Sequence, residues 1–190
     1  MKLRFALLFF LFAAAYTKAQ CQKFDTTVKM GDQGYKVECN NKNPDKNEVS
    51  INTVNLKFDG SRPVFTIVGK VKKAFTDDMN DDGRPDLIIC VYSGDNNEIG
   101  SVVGISYNAN KSFEPIYFPD IYLDAKIRDG YKGYDEYSAL TGTLLRKFPV
   151  YLPTDAPGKP TGGMRIIQYK SMMENGHLNF KVLRWYDAKS

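Results

Sequence analysis

Apolar positions fall through most of the chain in short runs rich in Val, Ile, Phe, Tyr and Thr, set between polar and turn-forming clusters of Gly, Asn, Asp and Pro. Successive side chains of an extended segment point to opposite faces, so each run predicts a β-strand with one face in a core. The runs are GYKVEC (34–39), VSINTVNLKF (49–58), VFTIVGKV (64–71), DLIICVYS (86–93), SVVGISY (101–107), DEYSAL (135–140), TLLRKFPVY (143–151), MRIIQYKS (164–171) and LNFKVLRW (178–185). In DLIICVYS the apolar stretch is unbroken and predicts a strand buried on both faces.

Turn chemistry joins these runs. Asn175-Gly176 tolerates the positive φ of a type I′ turn, and Gly142 does similar duty, so residues 164–185 and 134–151 are each expected to form a hairpin. A polar loop at 39–48 and a Pro- and Gly-rich loop at 152–163 separate other runs. No fixed-period repeat appears, which argues against a propeller or solenoid. The expected fold is all-β, an antiparallel β-sandwich or flattened barrel of about eight to ten strands, in one domain spanning 20–190.

Residues 1–19 depart from this pattern. Lys2 and Arg4 precede an apolar stretch, Phe5 to Ala15, and small residues Thr17 and Ala19 follow, which reads as a secretory signal peptide and implies an exported, periplasmic or extracellular protein. Cys21 leaves a lipid-anchored alternative open. The apolar stretch is too short for a membrane span, and nothing later is longer. Losing the leader removes three basic residues, Lys2, Arg4 and Lys18, and no acid, so the net charge falls from +4 to +1. Near neutrality without a run of Lys and Arg offers no footprint for nucleic acid. Cys21 and Cys39 flank the first polar segment and form the natural disulfide pair, while Cys90 reads as a buried thiol; spacing by itself leaves other pairings open.

Five carboxylates crowd the segment DDMNDDGRPD (77–86) just before the apolar strand. Asp78, Asn80, Asp82, Gly83 and Asp86 fit D-x-N-x-D-G-x-x-D, which offers side-chain oxygens at alternate positions, a glycine for the sharp turn and a closing carboxylate. With the backbone carbonyl of Arg84, this hard-oxygen set suits Ca²⁺ in a structural role. The position-12 glutamate of an EF-hand is absent, and Ile89 stands there; a loop leading straight into a strand resembles instead the calcium loops of FG-GAP and related bacterial β repeats. Asp77 and Asp81 are expected to face solvent. The alternative is a water-solvated turn rich in Asp and Asn.

Catalytic signatures are sparse. His177 is the single histidine, which excludes HExxH and finger-type zinc sites; CxxC and GxSxG are absent. Asp135 and Glu136, adjacent on a strand, point to opposite faces and do not form a carboxylate pair. A non-catalytic binding protein is the expectation, with a carbohydrate or surface-ligand module built on Tyr131, Tyr134 and Tyr137 as the alternative.

Residues 130–169 carry G-Y-x-G-x-D (130–135), F-P-x-Y (148–151), Asp155, P-T-G-G-x-R (160–165) and Tyr169, in that order, behind the acidic loop and its apolar strand. This combination, over 75–170, resembles the family of periplasmic inhibitors of invertebrate-type lysozyme. The resemblance implies a β scaffold that inserts a loop into the enzyme's cleft. That loop maps to Ser93, Gly94, Asp95, Asn96, Asn97, Glu98 and Ile99, and a lysozyme becomes the implied partner. The family's Ser-Gly-x-Tyr is incomplete here, because Asn96 stands at the Tyr position; Tyr134 and Tyr137 also replace the family's His and Phe. Residues 20–70 match nothing in the family pattern.

Overall fold

The computed structural model describes residues 22–58, 60–96 and 98–189; the leader at 1–19 and Cys21 lie outside them. Within these residues the chain is nearly all β, and no helix is long and apolar enough to cross a membrane. The strands are β1 (Phe24–Met30), β2 (Gln33–Cys39), β3 (Asn47–Val54), β4 (Val64–Ile67), β5 (Lys70–Asp77), β6 (Asp86–Ser93), β7 (Ile99–Tyr107), β8 (Phe113–Tyr117), β9 (Glu136–Ala139), β10 (Leu144–Pro149), β11 (Met164–Glu174) and β12 (His177–Ala188). They build a four-stranded sheet, β1-β2-β3-β4, and an eight-stranded, nearly closed barrel-like sheet, β5-β6-β7-β8-β12-β11-β10-β9.

The run VFTIVGKV, expected as one strand, is two. Gly69 takes φ +106 and passes the chain from β4 in the first sheet to β5 in the second. A Cβ there would stand 2.5 Å from the Tyr92 carbonyl oxygen, so only glycine crosses so close to β6. The polar loop 39–48 stitches this crossing. Asn47 Nδ2 donates to Gly69 O (2.7 Å), and Asn41 both accepts from the Val71 N–H and donates to the Val71 carbonyl (2.9 Å each). Both asparagines are buried, because backbone groups at the seam between two sheets have no ladder partner and need side-chain ones.

β6 lies between two cores. Ile88, Cys90 and Tyr92 point into the barrel with Phe148, Ile167, Tyr169 and Phe180. Leu87, Ile89 and Val91 point the other way, against Tyr35, Val37, Val49 and Ile51 of the four-stranded sheet. The double burial expected of DLIICVYS is thus met by two layers rather than one. Ile88→Val and Ile89→Val should therefore each cost about 0.5–1.5 kcal/mol in chemical denaturation, although the two side chains face opposite ways. A strand with one wet face would leave one of the two variants neutral.

The barrel's two edge strands meet through side chains. Lys73 Nζ on β5 donates to Tyr137 O on β9 (2.7 Å), and Asp77 Oδ2 accepts the Gly142 N–H of the β9–β10 turn (3.1 Å). Asp77, expected to face solvent, is half-buried in this closure; Asp81 is exposed as expected. Both anticipated hairpins form, with Asn175 and Gly176 at φ +51 and +78. β1 and β8 had no clear apolar signal. β1 is held by its ladder to β2, and β8 joins β12 in a parallel pair at Leu178 and Asn179.

Candidate functional sites: the acidic loop and the 93–100 loop

The acidic loop closes over one end of the barrel. Met79, flanked by Asp78 and Asn80, is fully buried in the barrel core and anchors the loop there. Tyr35 of β2 donates its hydroxyl to the Pro85 carbonyl at the loop's far end. Between these anchors the loop satisfies its own backbone. Asp78 accepts the N–H groups of Asp82 (3.0 Å) and Gly83 (2.8 Å), Asn80 Oδ1 accepts that of Asp82 (3.2 Å), and Asp82 Oδ1 accepts that of Arg84 (2.9 Å). The Arg84 guanidinium pairs with Asp82 (3.4 Å).

Asp86 stands apart. It is fully buried, its Oδ2 accepts the Met79 N–H (2.8 Å), and its Oδ1 has no hydrogen-bond partner. Burial pushes its carboxyl up to about 7; the Ser106 hydroxyl and the Met79 N–H oppose the rise, and Asp82 and Asp78 add to it. Among the described residues no three Asp, Glu, His or Cys side chains gather to hold one ion. Asp78 and Asp82 face backbone N–H groups rather than a shared centre with Asp86. The donor set still fits Ca²⁺ in kind, since every candidate ligand is an oxygen and one buried carboxylate oxygen is left over.

The second site follows β6. Gly94, Asp95 and Asn96 form an exposed tip, Ser93, Glu98 and Ile99 are half-buried, and Gly100 is buried; Asn97 lies outside the described residues. Glu98 folds its carboxylate over the tip, accepting the Asn96 N–H (2.9 Å). Gly94, at φ +88, leaves room for that carboxylate: a Cβ would come within 2.6 Å of it.

Segment 130–137 grips the root of this loop. Tyr134 N–H donates to Glu98 O (2.6 Å), and a Cβ on Gly133 would meet the same oxygen at 2.7 Å. Asp135 Oδ2 accepts the Gly100 N–H (2.7 Å) and the Tyr131 hydroxyl (2.5 Å). Asp135 Oδ1 accepts Arg146 Nε (2.6 Å), while Arg146 Nη2 donates to the Tyr131 oxygen (3.0 Å) and Gly100 O (3.4 Å). Both charged side chains are almost fully buried, and the rings of Phe118, Tyr131, Tyr137 and Phe148 surround the guanidinium. A pocket of about 310 Å³ opens beside this root, lined by Gly100, Ser101, Tyr122, Tyr131 and Arg146 among others.

Arg146 was not singled out from the sequence, although a signal existed. In TLLRKFPVY it shares the inward phase with Leu144 and Phe148, and a cation at a core position requires a buried partner. The three tyrosines of the alternative reading separate: Tyr137 is buried in the core, Tyr131 is half-buried, and Tyr134 is about half exposed. Tyr134 also has φ +64, a left-handed conformation that costs a bulky residue of order 1–3 kcal/mol.

Two other motif residues, Asp155 and Arg165, hold backbone segments in place. Asp155 accepts the N–H groups of Leu152 (2.7 Å) and Thr161 (2.8 Å) and the Thr161 hydroxyl (2.6 Å), which clips loop 152–163 shut; the Thr161 hydroxyl holds its carboxyl below the usual range. Arg165 forks onto Asp187 and donates to the carbonyls of Lys126, Ile127 and Asp129. Cys39 is buried with its Sγ 3.1 Å from Asn41 Oδ1, and its expected disulfide partner, Cys21, lies outside the described residues. Cys90 is buried in the barrel, which pushes its thiol up to about 12. No protein-family model, curated protein or solved structure matches the chain.

Proposed function

We propose that the chain is an exported, non-catalytic binding protein that presents loop 93–99 to a protein partner, and that the partner is a lysozyme whose cleft the loop occupies. The observation that carries this reading is the contrast within the loop. An exposed tip, Gly94 to Asn96, stands on a root held by Glu98, Gly100, Asp135 and Arg146. A tip fixed from below loses little conformational freedom on docking, so its contacts convert more fully into affinity. The likeness of 75–170 to the inhibitors of invertebrate-type lysozyme supports the choice of partner. Inhibition would be steric, with the occupied cleft excluding substrate.

In the same reading Ca²⁺ closes the acidic loop through Asp78, Asn80, Asp82, the Arg84 carbonyl and Asp86. Its charge would offset repulsion among the three carboxylates at the entry to β6. The ligand spacing and the unpartnered Asp86 Oδ1 support this assignment.

The purified protein is expected to slow an invertebrate-type lysozyme at stoichiometric concentration. Deletion of 95–98, or the milder Asp95→Ala/Asn96→Ala pair, should relieve the inhibition while the protein keeps its cooperative melting. Full lysozyme activity at excess protein, across several lysozyme classes, would end the reading.

A further inference from the structure

Ladders join every pair of neighbouring strands in the eight-strand order, and the barrel's last junction lacks one. β5 and β9 end that order on either side, and among the described residues no backbone hydrogen bond crosses between them. The hairpin of β9 and β10 sets which groups face this seam. Leu140 and Thr143 exchange both N–H···O bonds (2.9 and 3.1 Å), and exchanging pairs recur at every second residue, so Ser138 and Glu136 also turn their backbone groups to β10. Tyr137 and Ala139 turn theirs to the seam. The Tyr137 carbonyl meets a lysine there, Lys73 Nζ (2.7 Å), where a neighbouring strand would stand. A row of backbone groups served by one side chain is an edge open to another strand.

An incoming chain would meet positive charge at this edge. Lys72 Nζ lies 4.7 Å from the centroid of the Tyr92 ring, and that ring stands 6.4 Å from the Tyr137 ring, so the ammonium groups of Lys72 and Lys73 share one stretch of the seam. A pocket of about 360 Å³ opens beside them, lined by Lys73, Tyr92, Glu136, Tyr137, Ser138 and Lys147. Glu136 is the one acid in that lining. Three lysines against one carboxylate form a local excess in a chain with 26 basic and 22 acidic residues. Main-chain bonds to an open edge supply affinity, and the charge around it selects the partner.

We infer that the β5–β9 seam is a strand-addition site for an acidic, extended segment of another protein, which pairs with Tyr137 and Ala139 of β9 and sets its carboxylates against Lys72, Lys73 and Lys147. The incoming backbone takes the Tyr137 carbonyl over from Lys73, whose ammonium then pairs with a carboxylate of the segment. Seating a strand needs about 10 Å between β5 and β9, two ladder spacings, so the seam opens on binding. The inference does not rest on the reading of loop 93–99.

Three fluorescein-labelled octapeptides test it by anisotropy: one of alternating Glu and Thr, one of alternating Lys and Thr, and the Glu-Thr peptide methylated at every backbone nitrogen. The Glu-Thr peptide is expected to bind, and the other two about tenfold or more weakly, since one reverses the charge and the other has no N–H to give the edge. Lys73→Gln with Lys147→Gln should weaken the Glu-Thr peptide about tenfold, and high salt should act in the same direction. Lys147 makes no hydrogen bond or ion pair among the described residues, so Lys147→Gln alone carries the same test if the double variant melts early. A Glu-Thr peptide that fails to bind overturns the inference. Equal binding of the methylated peptide, or its displacement by an equal concentration of inorganic phosphate, also overturns it by showing plain anion attraction. Equal binding of the Lys-Thr peptide removes the acidic partner. No lysozyme enters the assay, so its failure and failure of the loop reading are scored separately.

Discussion

Arg146→Ala is expected to lower stability by about 3–5 kcal/mol, the range for removing one partner of a buried ion pair. For a chain of this size that corresponds to a fall of roughly 6–20 °C in melting temperature. The cost arises from what remains. Asp135 would be left in a core site with only the Tyr131 hydroxyl and the Gly100 backbone N–H donating to its carboxyl, and four aromatic rings would line the space the guanidinium leaves. Replacing both members, Asp135→Leu with Arg146→Met, removes the stranded charge and should recover much of the loss. It should not recover binding, because the Gly100 N–H and carbonyl lose their holders and the loop root loosens. Denaturant midpoints and lysozyme inhibition, measured on the same three proteins, separate the two effects. Equal loss in the single and double variants would show that charge burial is not the cause.

The second large effect concerns pH and calcium. Asp86 in the folded chain holds its proton to about pH 7, whereas an unfolded aspartate releases it near pH 4. Between these values the folded state binds more protons than the unfolded state. Stability conferred by the group is therefore full below about pH 4 and falls as pH rises towards 7, by up to about 4 kcal/mol in chelator. Asp86→Asn should flatten that slope, since an amide does not titrate. Ca²⁺ at pH 7 should raise the wild-type melting temperature, with a hundredfold excess over Kd adding about 2.7 kcal/mol. Asp86→Asn and Asp78→Asn should respond weakly or not at all. A wild-type melting temperature indifferent to added calcium would remove the metal from the proposal and leave the pH slope intact.

Local chemistry was legible wherever one residue type settled the backbone. Runs rich in Val, Ile, Phe, Tyr and Thr between turn residues marked most strands, Asn175-Gly176 marked the β11–β12 turn, and the unbroken DLIICVYS marked the strand that both cores share. β1 escaped because polar residues outnumber apolar ones in FDTTVKM, and β8 because it is five residues long and holds Pro115; β1 is held by its ladder to β2, and β8 by β7 and, in parallel, by the distant β12. VFTIVGKV reads as continuous because glycine is tolerated inside a strand. Only the approach of Gly69 to the Tyr92 carbonyl shows that the chain changes sheets at that point.

The two candidate sites divide in the same way. Residue order alone supplied the oxygen-rich spacing of 78–86, the glycine that lets the 93–100 loop turn and the all-β character of the chain, because these depend on neighbours within about ten residues. Tertiary structure decided that Met79 plugs the barrel, that Asp86 is buried with an unpartnered oxygen, and that Asp135 and Arg146 grip Gly100. Burial and pairing depend on what distant segments bring to a site, and a linear pattern records only which face a side chain takes, not what it finds there.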